Sequence, residues 1–412
     1  MRSLFWLSAL SIAYVYVGYP MLLVVWSRVR PARRIEDAPG SAPLPRISVV
    51  IAARNEAARL PSRIDNLLAL DYPADRRQII VVSDGSTDAT IDVLSRYGGV
   101  VQAVAAPARG KAAALNLAVA HATGEILVFA DARQMFAPDA LRALVAPFAD
   151  ADIGGVTGEL LLDCEATTIA GHRTGSDRRT IGDRRLRAGR MADRRASADR
   201  RGQAVSTIGD GVGLYWRYEK QLRRLESAVG STLGATGAIY ALRRSLYQPL
   251  PEGTILDDVL TPMRAVLAGR RVVFSEAAIA FDRAAVDADA EQRRKVRTLA
   301  GNVQILGIEP RLLVPFVNPV WLQYLSHKVG RLIVPYCLLT LFAASIALAA
   351  EHPIYAIALA AQCALYLLGG YGAWLDLTSR RAAQPRAAES SAAGTAAPRW
   401  PRARADKRIV NA

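Results

Sequence analysis

Three long apolar runs constrain this chain more than any other feature of its 412 residues. Leu4 to Trp26 holds 23 consecutive residues without a charge, and a helix needs about 20 such residues to cross a bilayer core. In lipid every backbone polar group must be satisfied within the segment, so a run of this kind is expected to be helical. A cleaved leader would carry a shorter apolar region ending in small residues; here Ser27-Arg28-Val29-Arg30-Pro31-Ala32-Arg33-Arg34 follows. Four arginines after the run, against Arg2 before it, predict a cytoplasmic downstream side. Leu332 to Ala350 and Ile354 to Leu377 are separated only by Glu351-His352-Pro353 and predict a helical hairpin. Lys328 and Arg331 flank it at one end and Arg380 and Arg381 at the other, so both ends are expected to be cytoplasmic. Leu312 to Leu325, broken by Pro315 and Pro319 and carrying Trp321 and Tyr324, reads as an interfacial helix.

Between these runs the pattern alternates between strand and helix, which favours a parallel sheet in an α/β fold. The expected strands are Ile47–Ala52, Gln78–Val82, Val100–Ala105 and Ile126–Ala130. The expected helices are Glu56–Leu70, one opening at Ser86-Thr87-Asp88, Gly110–His121 and Pro138–Phe148. Two of the strands run almost straight into an aspartate, Asp84 and Asp131. Parallel sheets bind ligands at the carboxyl ends of their strands. Two carboxylates delivered there, with glycines and a lysine between them, suggest a charged, phosphate-bearing ligand. The alternative for each is a helix-capping or turn aspartate.

The formal net charge is +15, and its distribution is informative. His172 to Gly202 carries eleven arginines against four aspartates, with Asp-Arg-Arg recurring at 177–179, 183–185, 193–195 and 199–201. This stretch is low in complexity and reads as a solvated insertion. The remaining excess lies beside the apolar runs, which points to membrane lipids. No aromatic interleaving accompanies the arginines, so no nucleic acid is expected as a partner. Cys164, Cys337 and Cys363, and His121, His172, His327 and His352, are scattered, which excludes a disulfide framework and a zinc or His-rich metal cluster.

Four ordered motifs carry a family resemblance: Ala53-Arg54-Asn55-Glu56, Ser83-Asp84-Gly85-Ser86-Thr87-Asp88, Gly110-Lys111-Ala112-Ala113-Ala114-Leu115-Asn116 and Ala130-Asp131-Ala132-Arg133. In that order and spacing they resemble the family 2 inverting glycosyltransferases of the GT-A fold. Gly234-Ala235-Thr236-Gly237-Ala238-Ile239-Tyr240, Leu256-Asp257-Asp258, and Arg294-Lys295-Val296-Arg297 followed by Gly301-Asn302-Val303-Gln304 extend the likeness. They are similar to the membrane-embedded branch that includes cellulose, chitin and hyaluronan synthases. The implied layout has a transmembrane anchor over 1–30 and a cytoplasmic GT-A domain over 45–310, with the arginine-rich insertion at 165–206. An interfacial helix over 311–330, a transmembrane hairpin over 331–378 and a disordered basic tail over 379–412 complete it. The implied location is the inner (plasma) membrane.

The resemblance implies a nucleotide-sugar donor, most often a UDP-sugar, and a glycan or lipid-linked acceptor. Glu56 and Asp84 would contact the donor's base and ribose, since carboxylates accept hydrogen bonds from imide N–H and hydroxyl groups. Lys111 would approach the donor, or be a solvated lysine at a helix start. Asp131 matches the first aspartate of an Asp-x-Asp motif that binds Mg²⁺ or Mn²⁺ through the diphosphate, and hard cations want such oxygen ligands. Arg133 stands at the second position, where it could neutralise phosphate but not ligate a cation. Asp258 takes the position of the general base, with Asp257 the near alternative; a helix N-cap is the other reading. Gly234, Thr236 and Gly237 would line the acceptor side. Arg297 takes the position of a diphosphate clamp, and Thr298 replaces the tryptophan that supports a growing chain in processive members. Trp216, Tyr218 and Glu219 read as helix packing. Sugar transfer to a polyprenyl phosphate, or nucleotide-sugar binding without catalysis, are the alternatives.

Overall fold

The computed structural model describes residues 1–29, 43–163, 207–283 and 288–392. The arginine-rich insertion over 165–206 lies outside the described residues. Chain contacts divide the molecule into two units, Ser11–Pro335 and Met1–Leu10 with Tyr336–Ala412.

The larger unit is built on an eight-stranded sheet of order β3-β2-β1-β4-β7-β6-β8-β5. Its first half comes from the β-branched runs: β1 (Ile47–Ala53), β2 (Arg77–Asp84), β3 (Gln102–Ala106) and β4 (Ile126–Ala130), all parallel. Side chains alternate across a strand. Val49, Ile51, Ile79, Val81 and Val128 therefore pack on one face with α3 (Leu60–Leu68) and α6 (Ala140–Val145). Val50, Ile80, Val82, Leu127 and Phe129 pack on the other with α5 (Lys111–Ala120) and α8 (Asp257–Leu267). Burial on both faces is why these strands read as continuous apolar runs. β7 (Ile239–Arg243) then joins β4 antiparallel, β6 (Ile153–Asp163) pairs antiparallel with β7, and β8 (Arg271–Arg283) lies parallel to β6. The short β5 (Met135–Phe136) closes the order on β8. The fold is a GT-A-like α/β sheet, mostly parallel with an antiparallel half.

The helix expected from Glu56 begins only at Leu60. Asn55 adopts a left-handed conformation with φ 55°, and the amides of Asn55, Glu56 and Ala57 are taken by Ser86, Thr90 and Asp88. With those donors engaged by side chains, residues 54–59 form a turn instead. The helix expected at Ser86 likewise starts later, as α4 (Thr90–Ser95), with the Asp88 carboxylate accepting the Thr90 amide.

Among the described residues three helices are long and apolar enough to cross a membrane: Arg2–Val29, Trp321–Leu348 and Pro353–Leu375. The first comprises α1 (Arg2–Ala13) and α2 (Tyr19–Val29) joined by a π turn. The segment expected to be an interfacial helix over 311–330 differs: a 3₁₀ turn covers Pro310–Leu313, and α10 (Trp321–Tyr324) already opens the second apolar helix. Pro315 and Pro319 confine the irregular backbone to the residues before Trp321, because nothing after Pro319 interrupts the helix until Pro335. That helix continues as a π turn and α11 (Gly330–Leu348). α12 (Pro353–Ala392) runs past the apolar stretch. Residues expected to be a disordered tail from 379 are therefore helical as far as Ala392, as an alanine-rich stretch favours, and 393–412 lie outside the described residues. In the smaller unit Phe5 packs edge-on against Tyr355 at 4.7 Å, and Arg2 Nε donates to Glu351 at 2.8 Å.

Candidate functional site

The carboxyl ends of β1 and β2 are stitched together by short polar side chains. Asn55 Oδ1 accepts the Thr87 amide at 2.8 Å, and Asn55 N–H donates to Ser86 Oγ at 3.1 Å. Asp84, buried at the end of β2, accepts the amides of Arg109 and Gly110 at 2.8 and 3.1 Å. Its carboxylate therefore fixes the turn before α5, where Gly110 takes φ 92°, a conformation that suits glycine. Glu56 pairs its carboxylate with Arg59 at 2.8 Å.

That turn delivers Lys111, the first residue of α5, to the middle of the site. Its ammonium lies 3.2 Å from Asp131 Oδ1 and 3.2 Å from Asp257 Oδ1. Burial works against its charge, yet Asp257, Asp131 and Asp258 together hold its proton well above the ordinary lysine range. Asp131, at the end of β4, is about one-third exposed while Asp257 is almost covered. Residues 111, 131 and 257 thus meet through one cation.

Asp257 and Asp258 open α8, where carboxylates are favoured by the helix dipole. Burial and then Asp257 push the Asp258 carboxyl up to about 6, with Lys111 and Lys328 pulling back. The expected acceptor-side turn packs against it. Ala235 N–H donates to the Asp258 carbonyl at 2.7 Å, and Gly234 takes φ 139°. A Cβ on Gly237 would lie 2.8 Å from Asp258 Oδ2, so the absent side chain makes room for the carboxylate. Thr236 is held from both sides, its amide on Thr157 Oγ1 at 2.8 Å and its hydroxyl receiving Arg223 Nη1 at 2.6 Å. Arg223 belongs to α7 (Thr207–Val229).

The loop entering α8 is gripped by α9 (Ala288–Ile308). Gln304 Oε1 accepts the Ile255 amide at 2.9 Å and its Nε2 donates to the Gly253 carbonyl at 2.9 Å. A Cβ on Gly301 would meet Leu256 Cγ at 2.5 Å. Arg297 on the same helix is exposed, its guanidinium reaching only the Ile255 carbonyl at 3.4 Å. No contact joins it or Glu56 to the lysine-bridged carboxylates.

The segment after Asp131 is braced below and beside the site. Arg133 lies 3.2 Å from Asp282, which also accepts Gln134 Nε2 at 3.0 Å. Asn66 accepts the Phe136 amide and donates to its carbonyl. The fully buried Arg63 stacks on the Phe136 ring at 4.0 Å and donates to Asn66 Oδ1. Arg63, Asn66, Asp282 and Arg223 escaped the reading of the sequence, while Gln304 entered it only within a family motif and Lys328 only as a charged flank of the apolar hairpin. Arg63 lies three residues after Leu60 and four before Leu67, on the buried face of α3, a placement that marks a buried cation only once the core is known.

No group of three or more His, Cys, Asp or Glu side chains capable of holding a metal occurs among the described residues. Asp131 nonetheless offers a half-open carboxylate of the hard-oxygen type that Mg²⁺ and Mn²⁺ favour. One protein ligand fits such an ion when a diphosphate completes the coordination shell.

Residues 48–199 match the family model described as Glycosyl transferase family 2. The chain is 34% identical over 120 residues to the beta-monoglucosyldiacylglycerol synthase of Synechocystis sp., which is 28% of this chain and 25% of that protein. It is 36% identical over 112 residues to the dolichyl-phosphate beta-glucosyltransferase of Drosophila melanogaster, 24% of this chain and 32% of that one. The matched stretch thus spans about a quarter to a third of these relatives' length. Among solved structures, the mannosyltransferase PcManGT from Pyrobaculum calidifontis, in complex with GDP-Man and Mn²⁺, superposes with a TM-score of 0.63. It has 25% identity, over 90% of this chain and 96% of that one.

Proposed function

From the premise that residues 48–199 carry a family 2 glycosyltransferase domain, we propose that the chain transfers a sugar from a nucleotide-sugar donor to a lipid-linked or glycan acceptor. The transfer takes place at the cytoplasmic face of the membrane and inverts the anomeric centre. The observation that carries this reading is the sharing of Lys111 between Asp131 and Asp257, each at 3.2 Å. It joins the strand-end carboxylate suited to a metal–diphosphate group to the acidic pair suited to proton removal.

In this mechanism Asp258 accepts the proton of the acceptor hydroxyl as that hydroxyl attacks the anomeric carbon opposite the departing nucleoside diphosphate. A carboxyl pushed up to about 6 is a stronger base than an ordinary aspartate and is still ionised at neutral pH. Gly237 keeps the space beside it clear, and Asp257 holds Lys111 within reach of the diphosphate. Asp131 would hold Mg²⁺ or Mn²⁺, which supplies charge neutralisation to the leaving group; the similar mannosyltransferase is described with Mn²⁺ and GDP-Man. Asp84 acts through the Arg109–Gly110 turn, Glu56 lies at the nucleoside side, and Arg297 waits on α9. Three apolar helices favour an acceptor presented at a membrane.

The test is release of nucleoside diphosphate from a panel of nucleotide sugars, with and without Mn²⁺ or Mg²⁺. Turnover with at least one donor is expected. Asp258→Asn should lose it by about 10³-fold or more while keeping the nucleotide dissociation constant. Wild-type turnover in that variant would remove Asp258 from the role of base.

A further inference from the structure

Three segments far apart in the chain bring charge to one point. Lys111 opens α5, Asp131 follows β4 and Asp257 opens α8. The Lys111 ammonium lies 3.2 Å from Asp131 Oδ1 and 3.2 Å from Asp257 Oδ1, so one cation engages both carboxylates. The Asp257 side chain is only 6% exposed, whereas those of Lys111 and Asp131 are exposed by 33% and 34%. Asp257 is thus the buried anchor of the lysine, and Asp131 is the partner that a ligand can reach. A second positive charge lies in the field of Asp131. Arg63 is fully buried, its Nε and Nη2 find no hydrogen-bond partner among the described residues, and Asp131 is the carboxylate that favours its charge. Asp131 Oδ1 is an oxygen of the type that a hard cation takes, and the ammonium already sits on it. A divalent ion approaching alone therefore meets a carboxylate whose charge is offset by Lys111, with Arg63 adding to the repulsion.

We propose that Lys111 couples the divalent ion to the nucleotide: its ammonium masks Asp131 in the nucleotide-free protein and turns to the diphosphate when a nucleotide binds, releasing the carboxylate to the metal. Lysine suits this exchange, because it is a point charge on a flexible four-carbon stem rather than a rigid fork. A diphosphate offers it charged oxygens like those it leaves. The turn before Lys111 borders open space, since a Cβ on Gly110 would meet no atom within 4 Å. Ion and nucleotide then raise each other's affinity by the same factor, and part of that factor is the displacement of Lys111 from Asp131. The inference rests on the sugar-transfer reading and adds to it a reason for the metal to arrive with the donor rather than before it. It also gives removal of the lysine a distinctive sign. A lysine that only contacted phosphate would leave metal binding to the nucleotide-free protein unchanged, whereas a masking lysine suppresses it.

The experiment titrates Mn²⁺ into the full-length protein in detergent, with and without saturating GDP or UDP, and reads the free ion by electron paramagnetic resonance. Without nucleotide, Lys111→Met, which removes the charge, should bind Mn²⁺ about tenfold more tightly than the wild type. Lys111→Arg, which keeps the charge, should show no such gain, and adding Asp131→Asn to Lys111→Met should abolish it. The factor by which nucleotide tightens Mn²⁺ binding should be smaller in Lys111→Met than in the wild type. Unchanged or weaker Mn²⁺ binding by nucleotide-free Lys111→Met, or a gain that survives Asp131→Asn, overturns the inference. A cooperative melting transition reports that the variant is folded, and Lys111→Gln carries the same comparison if it is not. The wild type alone also decides: Mn²⁺ held as tightly without nucleotide as with it leaves nothing for Lys111 to couple. Turnover with a nucleotide sugar alongside unchanged Mn²⁺ binding in the variant removes the coupling and keeps the transfer reading. Absence of turnover with every nucleotide sugar, alongside the expected Mn²⁺ pattern, does the reverse.

Discussion

At the scale of single residues the site depends on one missing side chain and one displaced proton. Gly237→Ala would drive a Cβ to within 2.8 Å of Asp258 Oδ2. Turning that carboxylate away should lower kcat by about 100-fold, with nucleotide affinity unchanged, as steady-state kinetics and nucleotide titration would show. With the Asp258 carboxyl raised to about 6, the proposed role as base requires kcat/KM to fall about tenfold per pH unit below that value and level off above it. Stability runs the other way. A raised acid binds its proton more tightly in the folded state, so this contribution is present below about pH 4 and lost as pH rises through about 6. Asp258→Asn should therefore melt higher than the wild type at pH 8, by differential scanning fluorimetry. The aspartates and Lys111 were legible in the sequence because motif order places them at strand and helix ends. Their joining through one ammonium was not, since it depends on α8, more than a hundred residues downstream, returning beneath the end of β4.

At the scale of elements, α9 governs the loop that leads into the acidic pair. Gln304→Ala removes two hydrogen bonds to Gly253 and Ile255. It should cost about 1–3 kcal/mol of stability and lower kcat about tenfold by loosening Asp257, with little effect on nucleotide binding; chemical denaturation and kinetics check both. The parallel half of the sheet was legible because β1, β2 and β4 are apolar runs buried on both faces, while the edge strand β3 is largely exposed. The antiparallel half was not. β5 has two residues, and β6 and β8 pair through register shifts near Ile153 and Thr157, so neither shows a clean period of two. Helix starts were misread where Asn55 and Asp88 draw amides out of the helix, a competition that only the folded loop reveals.

At the scale of the whole molecule, the chain should stay with membranes through an alkaline carbonate wash and require detergent for release, as immunoblotting of the fractions would show. Glu226 is a single carboxylate joining α2, α7 and the second apolar helix. Glu226→Ala leaves Tyr19 and His327 without that partner and should cost about 2–4 kcal/mol, read as a lowered melting temperature in detergent. The apolar helices were visible in composition, whereas the seam that ties the first two of them to α7 was not, since Glu219 reads only as helix packing and Arg331 only as a charged flank. That seam has a mechanical consequence. One helix, α7, is bonded to the membrane segments through Glu226 and to the turn beside Asp258 through Arg223. It is one continuous helix between those two sets of contacts. On the proposed transfer reading, any change in how α7 meets the apolar helices would be felt at the turn beside Asp258.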